Sequence, residues 1–318
     1  MVRFKSVLSG AVSYLPGGNA WLQRRLDSRP AGTANPRYCY SVWMRHLVRA
    51  NQAGALDGVP SVVAELGPGR SLGTGLAALL SGAERYIALE FVDHVADGRN
   101  VEIFDALVEM FRKQEPIPDS VEFPQIVTPL PSYEFPEKIL TQERLAVSLA
   151  PERVARIRDS LRDSSGAGII KYAVPWYGAN VIERDTVDML LSMSVMEHID
   201  DLDTTYAAAW SWLKRGGVMS HEIDFKCHGH ASLWNGHWGY SDGVWKIVRG
   251  NRPYLINRLP HSGHRDFLTR HGFESIVDQG TTSTGGLRRS MLAKRFRDLT
   301  DDDLETSNAY MLSRKVAR

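Results

Sequence analysis

Short apolar runs alternate with helix-forming segments along most of the chain. Apolar runs bounded by glycine or proline are typical of buried parallel strands, and their alternation with helices is typical of a doubly wound sheet. We therefore predict an α/β fold with a seven-stranded, mostly parallel sheet. Strands are expected at 61–66, 85–90, 169–174, 187–192, 218–225, 273–278 and 308–314. Helices are expected at 75–80, 203–214 and 264–271, with Gly216 and Gly217 closing the second of them.

Breaks in the pattern divide the chain into a helical cap and a larger domain. Residues 1–58 are mostly helical in character, and the turn at 57–60 separates this N-terminal cap from a domain at 59–318. A charged, proline-punctuated insert at about 95–165 is predicted to hold helices near 100–114 and 141–163. A polar, aromatic and irregular insert follows strand five, at about 226–262. We expect the cap and the first insert to form a lid or the surface of a homodimer.

Composition and charge narrow the class of protein. The 318 residues carry 38 basic and 37 acidic side chains, so no global field favours a nucleic-acid partner. Two cysteines, Cys39 and Cys227, cannot make a disulfide framework. No apolar run approaches the length of a membrane span, which is about 18–20 residues. These features favour a cytoplasmic protein without integral membrane contact; an N-terminal helix lying on a membrane surface is the alternative.

A glycine-rich loop leaves the first predicted strand and enters a helix. Gly67 and Gly69 allow a tight turn and close approach of a ligand, and the following helix offers free N–H groups. Glu90 ends the next strand, where a carboxylate can accept both hydroxyls of a ribose. The alternative is a plain strand–turn–helix with a surface glutamate. The strand context and Glu90 favour a nucleotide-type cofactor.

The motif Glu65-x-Gly67-x-Gly69 resembles the first motif of the class I S-adenosylmethionine-dependent methyltransferases. A dinucleotide fingerprint would place the third glycine at position 72, but Leu72 stands there and Gly73 follows. Segments 187–199 and 212–217 are similar to that family's fourth strand with its loop and to the helix end before strand five. Within that family the chain resembles the methyltransferase type 11 group and, more loosely, bacterial methyltransferases of polysaccharide biosynthesis. The resemblance implies a Rossmann-like methyltransferase fold.

The resemblance also implies roles for individual residues around S-adenosylmethionine. The loop would pass beneath the methionine part, Glu90 would hold the ribose, and Phe91 would cover the adenine. Trp176 or Tyr177 would pack on the base in place of the acidic residue that the family often has after strand three. The complete set of expected cofactor-binding residues is Glu65, Gly67, Pro68, Gly69, Glu90, Phe91, Met193 and Ser194.

Four of the ten histidines fall within residues 221–237, directly after or within strand five. In the first interpretation one histidine, oriented by Asp224, is a general base that deprotonates a hydroxyl acceptor. In the second, a divalent metal is bound, and in the third these are ordinary packed or solvated histidines. We prefer the general base and expect no metal. The catalytic candidates are His228, then His221 and His198, with Asp224; the metal set would be His221, Asp224, His228 and His230.

Aromatic residues follow the histidines in the second insert. Aromatic faces stack well on sugars and flat rings, so these residues are candidates for the wall of a substrate pocket. Filling of a core beneath a long loop is the alternative. The candidates are Trp234, Trp238, Tyr240 and Trp245.

Together, these patterns favour an S-adenosylmethionine-dependent methyltransferase that O-methylates a sugar, a glycan or a small metabolite. A metal-assisted O-methyltransferase is the nearest alternative. A nicotinamide-dependent oxidoreductase uses a similar glycine loop and acidic residue, and a non-catalytic binding protein on the same fold is a third class.

Overall fold

The computed structural model describes residues 4–19, 21–22, 32–93, 99–162, 168–252 and 255–316. Parts of the predicted cap (1–3, 20 and 23–31) and of the predicted first insert (95–98 and 163–165) lie outside the described residues.

A seven-stranded sheet in the order β3-β2-β1-β4-β5-β7-β6 forms the centre of the molecule. Strands β1 to β5 run parallel, whereas β7 is antiparallel to both β5 and β6. This architecture confirms the predicted fold class. The strands are β1 (Val62–Leu66), β2 (Arg85–Leu89), β3 (Ile170–Ala173), β4 (Val187–Met193), β5 (Leu213–Asp224), β6 (Phe273–Thr282) and β7 (Thr306–Lys315).

Ten α-helices are described around the sheet, and no helix among the described residues is long and apolar enough to cross a membrane. They are α1 (Phe4–Val12), α2 (Pro36–Gln52), α3 (Gly73–Ser81), α4 (Arg99–Arg112), α5 (Gln142–Ser148), α6 (Pro151–Ser160), α7 (Leu202–Trp212), α8 (Asp242–Arg249), α9 (His261–His271) and α10 (Asp301–Glu305).

Three helix predictions need correction. The helix expected at 141–163 is two helices, because Pro151 lacks an N–H and begins a new helix at its first position. The helix expected at 203–214 ends at Trp212, since Leu213 already pairs with Val187 of β4. Helix α8 was missed within the polar segment after β5, although Ser241 caps its first turn by accepting from the N–H of Val244.

The two faces of the sheet bury separate apolar layers. One face packs against α2 to α6, where Trp43, Leu76 and Phe104 are fully buried. The other packs against α7 and α9 around Tyr206 and Trp212. Helix α2 therefore belongs to the main core, although the sequence suggested that residues 1–58 form a cap.

The parallel register brings the carboxyl ends of four strands to one edge of the sheet. Leu66 of β1 pairs with Leu89 of β2, and Met193 of β4 pairs with Glu222 of β5. The loops that follow these strands therefore start side by side, at the edge where α/β proteins bind ligands.

The close packing of α3 on β2 predicts an unusual response to a helix-interior substitution. A Cβ added at Gly75 would clash with the ring atoms of buried Tyr86. We therefore expect Gly75→Ala to lower the free energy of unfolding by about 1–3 kcal/mol. Denaturant-induced unfolding measures this change. The matched control is Gly243→Ala in α8, where an added Cβ meets no atom within 4 Å and the substitution should be neutral or stabilising. Equal responses at both positions would contradict the packing argument.

Candidate active site

The loop after β1 requires bare backbone at two positions. Gly67 and Gly69 have φ angles of 66° and 72°, in the left-handed region that favours glycine. A Cβ on Gly67 would lie 2.6 Å from Val195, and one on Gly69 would lie 2.8 Å from Thr33. The loop therefore passes between two neighbouring segments that leave no room for a side chain at either glycine. Pro68 lies between the two glycines.

Glu90 and the glycine loop are joined by a hydrogen bond. The N–H of Gly69 donates to Oε2 of Glu90 over 3.3 Å, and the N–H of Phe91 donates to Oε1 over 2.8 Å. The half-buried carboxylate is thus held at the end of β2, beside the loop. It lies where the sequence places a ribose-binding acceptor.

Thr33 is a part of this loop region that the sequence analysis missed. Its Oγ1 accepts from the N–H of Arg70 over 3.0 Å, and its carbonyl accepts from Oγ of Ser71. The segment before α2 therefore covers the glycine loop. The sequence feature that fixes this segment is the start of α2. There Asn35 caps the helix by accepting from the N–H of Arg37.

Glu65 supports the loop from inside the fold. Its side chain is buried and accepts a hydrogen bond from the Tyr86 hydroxyl over 2.5 Å. Burial raises the pKa of the carboxyl to about 7, even though the Tyr86 and Thr74 hydroxyls favour the charged form. The structure thus places Glu65 in the interior, hydrogen-bonded to Tyr86 of β2, with the Glu90 charge near enough to add to the rise in its pKa.

An aromatic cleft of about 400 Å³ lies beside Glu90. The ring of Phe91 lies 4.9 Å from that of Trp176 and 5.8 Å from that of Tyr177, measured between ring centroids. Trp176 is buried against Trp212, whereas Tyr177 is largely exposed. His198 lines the same cleft. The predicted adenine-side residues are thus together, packed on one another at one wall of the cleft.

The end of β4 contacts the glycine loop and the first insert. Met193 is half-buried against Phe123 and Ile126 of the insert. Ser194 has a φ of 52°, and its N–H donates to the carbonyl of Glu222 over 2.8 Å. This turn directs the chain over Gly67 through Val195. Met193 and Ser194 therefore lie at the strand end that leads to the loop; that they line a cofactor stays a prediction.

His198 and His228 meet across the gap between the loops after β4 and β5. Their ring centroids are 5.0 Å apart. Nε2 of His228 is 3.5 Å from Oδ2 of Asp224, which is within reach of an ion pair but long for a hydrogen bond. The structure thus brings three of the four predicted catalytic residues to one place.

Asp224 is the charged centre of this group. Burial works to raise its pKa, but His228, Lys226 and the backbone N–H of Lys226 outweigh burial, so the pKa lies below the ordinary aspartate value. The Lys226 ammonium is 3.2 Å from Oδ1 of Asp224 and also donates to Asn308. Asp224 is therefore an ionised group able to orient His228.

Glu197 is the functional candidate that sequence reasoning missed. One ligand atom from each of Glu197, His198 and His228 lies within 4.8 Å of the others. The Glu197 side chain is only 3% exposed, and neither carboxylate oxygen makes a hydrogen bond within normal geometry. Burial raises its pKa well above the ordinary glutamate value. Its adjacency to His198 in the turn after β4 was the available signal.

Asn257 holds this turn in place. Its side-chain amide donates to the carbonyls of Met196 and Ile199 over 2.8 and 2.9 Å, and its own N–H donates to the carbonyl of Glu197. The second insert therefore positions Glu197 and His198, a role that only the folded chain reveals.

His221 and His230 do not join the group at the strand ends. His221 is buried within β5, with Nδ1 2.8 Å from Oγ of Ser192, and burial lowers its pKa to about 4. His230 packs beside α1, with Nδ1 3.3 Å from Oγ of Ser6. The metal set expected from His221, Asp224, His228 and His230 is therefore not assembled, because strand pairing and α1 hold two of its members elsewhere.

The predicted aromatic pocket wall is mostly packed interior. Trp238 is fully buried, and its Nε1 donates to the carbonyl of Arg258. Tyr240 and Trp245 are buried in a second small cluster. Trp234 is half-buried, 6.4 Å from Trp238 between ring centroids. The alternative interpretation, a core beneath a long loop, describes Trp238, Tyr240 and Trp245, since these rings pack on one another and on apolar neighbours.

The chain is similar to several solved structures, but not to any family model or curated protein. Similar solved structures include a proposed sarcosine dimethylglycine methyltransferase from Galdieria sulphuraria, at 10% identity and TM-score 0.45, covering 86% of this chain and 85% of that one. An S-adenosylmethionine-dependent methyltransferase from Methanosarcina mazei has 9% identity, TM-score 0.43 and coverage of 84% and 98%. One from Mesorhizobium loti has 12% identity, TM-score 0.40 and coverage of 82% and 94%.

Because His221 is buried in its neutral form, we predict that the stability of the fold decreases in acid. An unfolded histidine takes up a proton near pH 6.5, whereas folded His221 resists it down to about pH 4. The stability that depends on the neutral ring is therefore complete above pH 6.5 and declines as the pH falls. We expect His221 alone to contribute about 2 kcal/mol to the loss between pH 7 and pH 5. Denaturant unfolding across this range should give a shallower pH slope for His221→Gln, and an unchanged slope would contradict the assignment.

Proposed function

We propose that this protein is an S-adenosylmethionine-dependent methyltransferase that transfers the methyl group to a hydroxyl of its acceptor. The proposal rests on the arrangement of residues along one edge of the sheet, formed by the carboxyl ends of β2, β1, β4 and β5. The glycine loop and Glu90 stand at one end of it, and the group of Glu197, His198, Asp224 and His228 stands at the other.

The residues at the first end fit the cofactor. Gly67 and Gly69 let the backbone turn tightly at the end of β1, and the N–H of Gly69 holds the Glu90 carboxylate beside this turn. Phe91 and the exposed Tyr177 offer faces for the adenine, and Trp176 packs against Phe91. When bound, the cofactor supplies a methyl group already activated by its positive sulfur.

The residues at the second end fit deprotonation of a hydroxyl. A hydroxyl acceptor is almost fully protonated near neutral pH, so methyl transfer benefits from a group that takes or polarises the proton. His228, with Asp224 beside it and His198 opposite, is placed for this role. Asp224, 3.5 Å from Nε2 of His228, can orient the ring. The remaining task of the chain is to hold the acceptor oxygen in line with the methyl group.

The sheet topology argues against the nicotinamide alternative. The classic dinucleotide-binding sheet is mostly parallel and has the order 3-2-1-4-5-6, with no strand inserted between the fifth and the sixth. Here antiparallel β7 is inserted between β5 and β6. The cluster of Glu197, His198, Asp224 and His228 beside the cleft likewise favours an enzyme over a non-catalytic binding protein.

The proposed acceptor is a small molecule or a glycan, in a cytoplasmic enzyme. The balanced charge, net +1, offers no general attraction for a nucleic acid. Both cysteines are unpaired and buried, which agrees with a reducing compartment. A homodimer through the N-terminal helices or the first insert remains part of this proposal.

The cofactor assignment predicts a loss of affinity in Glu90→Ala. Removing a charged acceptor from the ribose should weaken binding of S-adenosylhomocysteine by roughly tenfold or more. Isothermal titration calorimetry measures this directly. The matched control is Glu84→Ala, at the opposite end of the same strand, where Glu84 accepts only from Ser61 among the contacts that the structure describes. Wild-type affinity in a folded Glu90→Ala variant would sink the assignment.

The catalytic assignment predicts a loss of turnover with affinity retained. His228→Ala or His198→Ala should lower turnover by about 10²–10⁴-fold, because the acceptor proton loses its receiver. Asp224→Asn should cause a smaller loss of the same kind. Binding of S-adenosylhomocysteine should stay near the wild-type value, since the glycine loop is untouched. Near-wild-type turnover in both histidine variants on the true acceptor would overturn the role of this group, and His271→Ala in α9 is the control.

A further inference from the structure

A buried carboxylate without a hydrogen-bond partner lies beside two histidines at the proposed acceptor site. Such a group is costly to keep in a folded protein unless something compensates it. Glu197 is 3% exposed, and both of its oxygens are buried without a hydrogen bond. Ligand atoms of Glu197, His198 and His228 lie within 4.8 Å of one another. We propose that Glu197, His198 and His228 bind a divalent transition-metal ion.

The donor set matches the chemistry of such ions. Two imidazoles and one carboxylate suit Zn²⁺, Fe²⁺, Co²⁺ or Mn²⁺, and three protein ligands leave a coordination position open. Ligand atoms about 2.1 Å from a tetrahedral ion lie about 3.4 Å apart. The three groups therefore need to approach one another by about 1.4 Å at most, which side-chain rotation can supply. His228 is on the exposed side of the group and has room to rotate.

Neighbouring charges support the site. Asp224, 3.5 Å from Nε2 of His228, can hold that ring as carboxylates do behind metal-bound histidines. Lys226 is the cation nearest to this group in its own loop, and its ammonium is engaged by Asp224 and Asn308. Asn257 fixes the turn that presents Glu197 and His198. The positive charge of Lys226 is thus partly neutralised before an ion arrives.

The inference rests on the proposed function for its chemical role. An acceptor hydroxyl at the open position would have a lower pKa, so its O–H bond breaks more readily and the proton passes to solvent. The oxygen lone pair then forms the C–O bond while the methyl–sulfur bond breaks, and the sulfur leaves as a neutral thioether. In this arrangement His228 is a metal ligand in place of the base, and its removal still lowers turnover.

A titration with Co²⁺ tests the site without relying on activity. Chelator-treated wild-type protein should bind about one ion per chain, with the visible absorption of Co²⁺ held by nitrogen and oxygen ligands, and Zn²⁺ should displace it. We expect Glu197→Gln, His198→Ala and His228→Ala each to weaken Co²⁺ binding by at least tenfold. His271→Ala, which removes a histidine beside Asp203 on another part of the surface, is the matched control and should bind as the wild type does.

Two results would overturn the metal site: no Co²⁺ binding by the wild-type chain, or unchanged binding in the three variants. Circular dichroism verifies folding, and His228→Ala, at the exposed position, carries the test if a buried variant does not fold. S-adenosylhomocysteine titrated into the metal-free protein separates the two proposals. A chain that binds S-adenosylhomocysteine but takes up no Co²⁺ overturns only the metal site, whereas a chain that binds Co²⁺ but not S-adenosylhomocysteine overturns the methyltransferase.

Discussion

The rest of the site depends on bare backbone at Gly67 and Gly69. Side chains at these positions would collide with Val195 after β4 and Thr33 before α2, so the loop can pass between both segments only as glycine. The N–H of Gly69 then reaches Glu90 at the end of β2. One loop thereby sets the positions of residues from β2, β4 and the N-terminal segment.

The strand order aligns the functional residues along one edge of the sheet. From β2 through β1 and β4 to β5, neighbouring strands are parallel and about 4.8 Å apart, so their carboxyl ends form a row. Glu90 stands at one end of the row, and Asp224 stands at the other. His198 and His228 meet where the last two loops face each other. A ligand lying along this edge would present one end to Glu90 and the other to His198 and His228.

The segments added to the sheet decide how that edge is covered. Thr128 of the first insert donates to buried Glu222 from its N–H and its hydroxyl, and Phe123 packs against Met193. Asn257 of the second insert fixes the turn of Glu197 and His198. The aromatic residues Trp238, Tyr240 and Trp245 build the interior of that insert. Their burial explains why an aromatic-rich sequence there produces a support for the site in place of a pocket wall.

Local sequence determined the elements, the fold class and the glycine loop with Glu90. Hydrophobic periodicity and glycine placement are properties of neighbouring residues, and they report directly on strands, turns and helix ends. The composition of the site was decided only by tertiary structure. His221 and His228 are seven residues apart in the chain, yet strand pairing buries the first and the loop exposes the second. Glu197 and His228 approach through the pairing of β4 with β5, and the distance between them depends on contacts remote in sequence.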